Sequence, residues 1–553
     1  MKNTIKNTTN WMLALIAVMA VFVTACEKDI VYEKTRLFRP VLGSQLEAIE
    51  NKIEVNLGNI KEATSYTLEV SRDSFNVVDY QFEIDTSYFL IDENLLGEEL
   101  LYNTLYQIRA TAHAADPQYD SRAADLGAVR TERFPSILNL PKINDVIDTK
   151  AKVTWAIAGA AVTGVKTFSS EDLRLTTPLA SYDVSPNDQT AGETIIDGLE
   201  PDSKYQIAIY SGDKLRGWVD YETLVAGVDP NAGNVIDLSD NEDPDALASA
   251  VLAAGDGMIV LLKKGVTYNF PTERLDKSIT IKGAYGFEEN KAAMFTTGNW
   301  NVAEGAKIDH IVFDDIELMG EDIGGDYVFN INNSGDATII NELRFENCIL
   351  HDFRGVMRLR SDVFVKNYTI SNSIVRDIGG YGVFTCDTDG DDKAAIDNVI
   401  FQNSTFYRVN TFLSTRQSVQ SFLIDGCTVN QVAATGQRVF RFRGKEGKSD
   451  VVNGLTISNT IWGHGWDSSE SGDLSVQLIG GGLEATSFNI VNTWGTSDFQ
   501  AREGTEMAGF PALNYSGEAS NLWLDPYNGD FNIQDNGFGG RFDAGDPRWR
   551  AKL

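Results

Sequence analysis

The chain alternates apolar and polar residues over short stretches almost from end to end. "SYTLEVSRD" (65–73) and "TLYQIRATA" (104–112) alternate apolar and polar residues over most of their length, the period-two pattern of a half-buried strand. The plan recurs in "AKVTWAI" (151–157) and in "LEPDSKYQIAIYS" (199–211). The next segment differs: "DPDALASAVLAAGDG" (243–257) is alanine-rich and reads as a short helix. Two β-rich runs follow, "MIVLLKKGVTYNF" and "DKSITIKGAYG". Next come seven related cores: "IVFDDIEL", "LRFENCIL", "YTISNSIV", "VIFQNSTF", "FLIDGCTV", "LTISNTIW" and "FNIVNTWG". Each is a strand broken at Asp315, Asn347, Asn372, Asn403, Gly426, Asn459 or Asn492. These residue types tolerate the left-handed backbone of a sharp bend, and an asparagine amide can bond a stacked neighbour. Most bends precede a small residue (Cys348, Ser373, Ser404, Cys427, Thr460, Thr493), so the repeat predicts a parallel coil with a small-residue column inside. Cys348 and Cys427 fall three coils apart at about 4.8 Å per coil, too far to bridge.

Charge is spread unevenly along the coil. The whole chain of 553 residues carries a formal charge of -32, which argues against general nucleic-acid binding. Yet 354–445 holds nine Arg, three Lys and eight Asp, with no Glu, for a local charge of +4. Counted from the preceding bend, Arg358, Val383 and Ser414 share one offset. Arg360, Thr385 and Arg416 follow two residues on, and Asp362, Asp387 and Ser418 two further. In "RVFRFRGK" (438–445), Arg441 and Arg443 take the corresponding places. Leu359, Phe440 and Phe442 alternate inward, leaving the arginines on the outer face. A guanidinium ladder at coil spacing suits the repeated carboxylates or sulfates of a uronate-containing or sulfated polysaccharide. Salt-bridged arginines on a solvated surface are the alternative.

The remaining chemistry is sparse. Cys348, Cys386 and Cys427 are an odd set without CxxC spacing, and His113, His310, His351 and His464 are scattered, so neither a disulfide framework nor a zinc site is expected. Trp466, in "IWGHGWDSS", is a candidate for stacking on a sugar ring. At the N-terminus Lys2 and Lys6 precede an apolar run from Trp11 to Val23 and then Thr24-Ala25-Cys26. That layout resembles a bacterial lipoprotein signal, which implies acylation of Cys26 and anchoring in the outer-membrane lipid. The following "EKDI" is similar to the surface-export signal of Bacteroidetes lipoproteins, which implies an outward-facing protein.

Other motifs carry further resemblances. The early Trp155 and the Leu199-turn-Tyr205 element resemble a fibronectin type III domain, with a less clear copy before it. The repeat and its entry strands resemble the right-handed β-helix of the pectin-lyase superfamily. The tail "LWLDPYNGDFNIQDNGFGGRFDAGDPRW" resembles the C-terminal end of Bacteroidetes polysaccharide-utilisation lipoproteins. The fold expected is all-β: a signal peptide over 1–26, sandwiches over 27–137 and 138–230, a β-helix with an N-terminal capping helix over 231–499, and a C-terminal cap over 500–553. "CDTDGDDK" followed by "NTFLSTRQS" is similar to the site of the chondroitinase-B and alginate-lyase family. The resemblance implies Asp387 and Asp389 as calcium ligands, Lys393 as base and Arg416 as acid; here Asp stands for Glu, and Arg358 or Arg360 stands about where the family has an Asn ligand. Three readings follow. The first is a surface lipoprotein that binds acidic polysaccharide through Arg358, Arg360, Arg416, Arg441 and Arg443, with a glycan-import complex as a further partner. The second is a β-eliminating polysaccharide lyase, and the third a structural adhesin.

Overall fold

A computed structural model describes residues 34–388, 393–444 and 449–552. Cys26 and Asp389 lie outside the described residues. The chain is all-β apart from a few short helices, and it divides into two compact units. One runs to Asn139 and includes 155–190 and 206–220; the other comprises 140–154, 191–205 and the chain from Tyr221 on.

The first unit opens with two antiparallel sheets. One orders the strands Glu47–Ile49, Lys52–Asn56 and Tyr88–Ile91, and the other Tyr80–Ile84, Ala63–Ser71, Leu105–Ala114 and Ala124–Arg130. Alternation puts Ile53, Val55, Leu68, Val70, Tyr106 and Ile108 in one core. The Tyr106 hydroxyl accepts from the Leu101 N–H at 2.9 Å, the tyrosine-corner bond of fibronectin-like sandwiches. The same bond closes the next element, where the Glu200 N–H donates to the Tyr205 hydroxyl at 2.9 Å. The stretch 150–222 contributes a four-stranded antiparallel sheet and the antiparallel pair Lys150–Thr154 with Glu193–Asp197.

From Val235 the topology changes to parallel. Ten strands stack in register, from Val235–Leu238 and Met258–Leu262 through Val363–Ser371 to Leu455–Trp462 and Phe488–Gly495. Two further parallel stacks run alongside, and the middle coils contribute strands to all three. The helix Ala246–Ala253 buries Leu247, Ala250 and Val251 against the first coils.

Every bend expected from the repeat is left-handed: φ lies between 48° and 62° at Asp315, Asn347, Asn372, Asn403, Gly426, Asn459 and Asn492. The asparagine amides do bond across coils, Asn347 to Asp315 at 2.9 Å and Asn492 to Asn459 at 3.0 Å. The small-residue column is fully buried, and the Cys348 N–H donates to Ser373 Oγ at 2.9 Å. Cys348, Cys386 and Cys427 are free thiols; burial pushes Cys348 and Cys386 up to about 12.

The C-terminal segment does more than close the last coil. Phe499, Met507 and Phe510 pack on the open end of the core. The chain then climbs back along the side of the coils. Gly545 N–H bonds Asn459 O, Asp546 N–H bonds Thr428 Oγ1, Trp549 Nε1 bonds Thr405 Oγ1, and Arg548 Nη2 bonds Asn372 O. Trp523, Phe531 and Phe538 fill the seam against Tyr407 and Ile461. The expected cap is therefore also a strap, because its polar groups find partners on four successive coils.

A second left-handed column contains Asp377 and Arg408, with φ of 53° and 49°. The Asp377 carboxylate accepts from Arg376 Nη1 at 2.8 Å and from Arg408 Nε and Nη2 at 2.5 and 2.7 Å. Burial raises this carboxyl, but the guanidiniums of Arg408 and Arg376 outweigh it and hold the group below its ordinary value. A folded value below the unfolded one gives stability that is complete above the unfolded pKa, about 4, and is lost as pH falls through the folded value. Melting of the wild type should therefore fall steeply below about pH 4. Asp377→Asn should show a lower neutral melting temperature and a shallower acid limb; parallel curves for the two proteins would refute this.

Candidate functional site

Four strands build the arginine face: β1 (Ile349–Leu359), β2 (Ile374–Cys386), β3 (Leu413–Thr415) and β4 (Phe440–Phe442). Each belongs to a successive coil and each pairs in parallel with the next. Met357, Phe384, Leu413 and Phe440 form one inward column, and Leu359, Cys386, Thr415 and Phe442 the next. Between them the partially covered face carries Arg358, Thr385, Ser414 and Arg441 in register, with Asn330 one coil before. Two residues further on the backbone N–H groups of Arg360, Asp387, Arg416 and Arg443 bond Ile331, Leu359, Cys386 and Thr415 carbonyls, which aligns these four as well.

Arg441 and Arg443 take the places that alternation assigned them, above Ser414 and Arg416. The second coil does not. Counting from the bend put Thr385 beside Arg360 and Arg416; in the structure Asp387 stands there and Thr385 aligns with Arg358. The cause is a bulge: Phe353 pairs with Ile378 but Gly355 with Gly382, so β2 spends two more residues than β1 on the same step.

Asp387 thus becomes the centre of the face. Its Oδ2 accepts from Arg358 Nη2 at 2.5 Å and its Oδ1 from Arg443 Nη2 at 3.0 Å, with Arg416 Nε 3.7 Å from Oδ1. Arg358 and Asp387 are each only 17% exposed. Burial is the largest single influence on Arg358 and lowers its pKa, but the bond to Asp387 and the charges of Asp387, Tyr381 and Tyr327 together outweigh it, so the guanidinium pKa is raised. Arg441 has the opposite fate: burial, then the neighbouring Arg443, Arg438 and Arg416, lower it. Arg360 and Arg441 have no acidic partner among the described residues. Several buried polar atoms here have no hydrogen-bond partner among the described residues: Asn330 Oδ1, Ser414 Oγ, and the Nε atoms of Arg358, Arg360 and Arg443. Such atoms are costly to bury alone.

The bulge also supplies an aromatic element absent from the sequence reading. Tyr381 lies under two guanidiniums, Arg358 at 4.3 Å and Arg354 at 4.6 Å from its ring centre, and meets Tyr327 edge-on at 5.6 Å. The glycines of "GGYG" (379–382) are the sequence signal for it, since clustered glycine in a strand marks a bulge.

The other candidates fall elsewhere. Lys393 stands just before the strand Ala394–Gln402, about half exposed, with Nζ 3.8 Å from Asp362 Oδ1, while Arg416 leans on Asp387. The two are thus held on different carboxylates. The neighbours of Asp387 are guanidiniums, the reverse of the anionic surroundings that calcium needs, so a metal there requires those arginines to withdraw. Trp466 is half-buried on the next coil, with its backbone on Ala433. Trp462 is core, edge-on to Phe412 and Phe510, and Trp494 packs under Phe538 of the strap.

Residues 267–409 match a family described as domain of unknown function DUF4957, and residues 422–549 match a second, DUF5123. No curated protein matches the chain. Among solved structures, the chain is similar to the FN1–FN3 domains of chicken CNTN1, with 11% identity over 34% of this chain and 67% of that one, at a TM-score of 0.15. DUF4957 covers the coils that carry Arg358, Arg360 and Asp387, and DUF5123 those that carry Arg441 and Arg443, so the face spans both matched segments.

Proposed function

We propose that the arginine face binds an acidic polysaccharide, uronate-containing or sulfated. In this reading the protein serves glycan utilisation at a cell surface, tethered to the outer membrane through an acylated Cys26. One observation carries it: guanidiniums from three of four successive coils converge on one face, and Arg360 and Arg441 there lack an acidic partner among the described residues. Arginine forks bind carboxylate and sulfate through paired hydrogen bonds, and coil stacking repeats them along the axis as a polymer repeats its charges.

The test is electrophoresis through gels containing pectate, alginate or a glycosaminoglycan, with and without calcium, while ultraviolet absorbance reports unsaturated products. Retardation without absorbance is expected, weakening with salt. Arg441→Ala/Arg443→Ala should reduce affinity on the order of 10-fold per arginine, the effect of a lost charge-assisted bond. Absorbance that disappears in Lys393→Ala would replace this reading with the lyase. Mobility unchanged in every anionic glycan would leave the rigid adhesin.

A further inference from the structure

We infer that Asp387 holds the place of the ligand's own carboxylate, and that the face takes uronate-bearing chains by exchanging that side chain for a carboxylate of the sugar. The inference rests on the anion-binding reading above and names its ligand class.

Three features point this way. Asp387 divides its two oxygens between arginines from different coils, Arg358 on the coil before and Arg443 two coils after. With Arg416 at 3.7 Å, the guanidiniums already converge on one planar anion bearing two oxygens. A uronate carboxylate has the same shape and charge. Next, Asp387 directly follows the last residue of β2 and its N–H is anchored on Leu359 O. Rotation about its side-chain bonds therefore carries the carboxylate outward without disturbing the ladder. Finally, donors beyond those Asp387 uses lie on the same face: Arg360 in line with Asp387 on the coil before, Arg441 in line with Arg358, and the Nε atoms of Arg358 and Arg443. An incoming sugar carboxylate, with ring oxygens and hydroxyls beside it, can engage donors that the short aspartate leaves unused. The resident carboxylate is then a competitor, keeping the arginines apart from one another while no ligand is bound and weakening every anion that replaces it.

The experiment is calorimetric titration of wild type, Asp387→Asn, and Asp387→Asn with Arg441→Ala/Arg443→Ala. The probes are oligogalacturonate, oligomannuronate, hyaluronan fragments and a sulfated neutral oligosaccharide, with melting temperatures recorded for each protein. Asp387→Asn should bind at least one uronate oligomer about 10-fold more tightly than wild type, and the added arginine substitutions should remove the gain. Affinity equal to or below wild type in a normally folded Asp387→Asn would show that Asp387 orients the arginines, overturning the inference while leaving the anion site intact. A greater gain for the sulfated probe would overturn the uronate assignment. Binding of no probe by any of the proteins would instead remove the anion-site reading itself.

Discussion

Gly382→Ala should destabilise the coil by about 3 kcal/mol or more and abolish retention by acidic glycans. Gly382 has φ of 66°, and a Cβ built there would lie 2.2 Å from Thr411 O and 2.5 Å from Phe412 O. Both obstacles are backbone. Phe412 O already accepts the Val383 N–H at 2.8 Å, so neither rotamer change nor side-chain motion relieves the clash. The strand must leave its neighbour, and β2 is the strand that carries Tyr381 and leads into Asp387. Gly436→Ala is the control: φ there is 76°, but no atom lies within 4 Å of its added Cβ, so only left-handed strain remains, about 1 kcal/mol. Denaturant midpoints and gel retention should separate the two variants. Equal losses would mean that the bulge is not what sets the register.

That bulge also explains what could be read from the chain and what could not. The bends were legible because left-handed backbone selects Asn, Asp and Gly locally, with no knowledge of neighbours. So was the buried small-residue column, because each member follows a bend at a fixed step. The faces of Arg358, Arg360, Arg441 and Arg443 followed from alternation alone. The partner of the arginines did not. An insertion of two residues preserves parity, so Asp387 stays on the outer face, but it slides one pair along the ladder. Side-chain period is blind to such a shift; only the cross-coil pairing reveals it. The strap was hidden for a similar reason. Its contacts with Asn372, Thr405, Thr428 and Asn459 join residues far apart in sequence, and nothing in "DAGDPRW" states which coils it will meet. Charge counting over 354–445 pointed to the strands that carry the arginine face because stacking gathers onto one face what the sequence spreads over four coils.

Trp300→Ala should cost about 3–5 kcal/mol, yet leave the arginine face working. Trp300 is fully buried, stacked on Phe329 with ring centres 5.7 Å apart and planes 18° from parallel, and edge-on to Phe270 and Phe313. Its Nε1–H donates to Glu273 O at 2.8 Å. Truncation removes this contact set, opens a cavity in rigid surroundings and leaves a carbonyl without its donor. In a compact single core such a loss is shared by the whole domain. A stack of coils responds differently, since each coil contacts mainly its neighbours and stability is close to a sum of local terms. Amide exchange should therefore speed on the order of 10²–10³-fold in the coils around 258–331, falling toward wild type by β3 and β4. Glycan retention should survive at temperatures where the early coils have begun to open. The strap strengthens this expectation, because it ties Asn372, Thr405, Thr428 and Asn459 together, all of them on the coils after Trp300. Peptide-resolved exchange showing uniform acceleration from Val235 to Gly495, with retention lost in step, would mean that the coils melt as one unit.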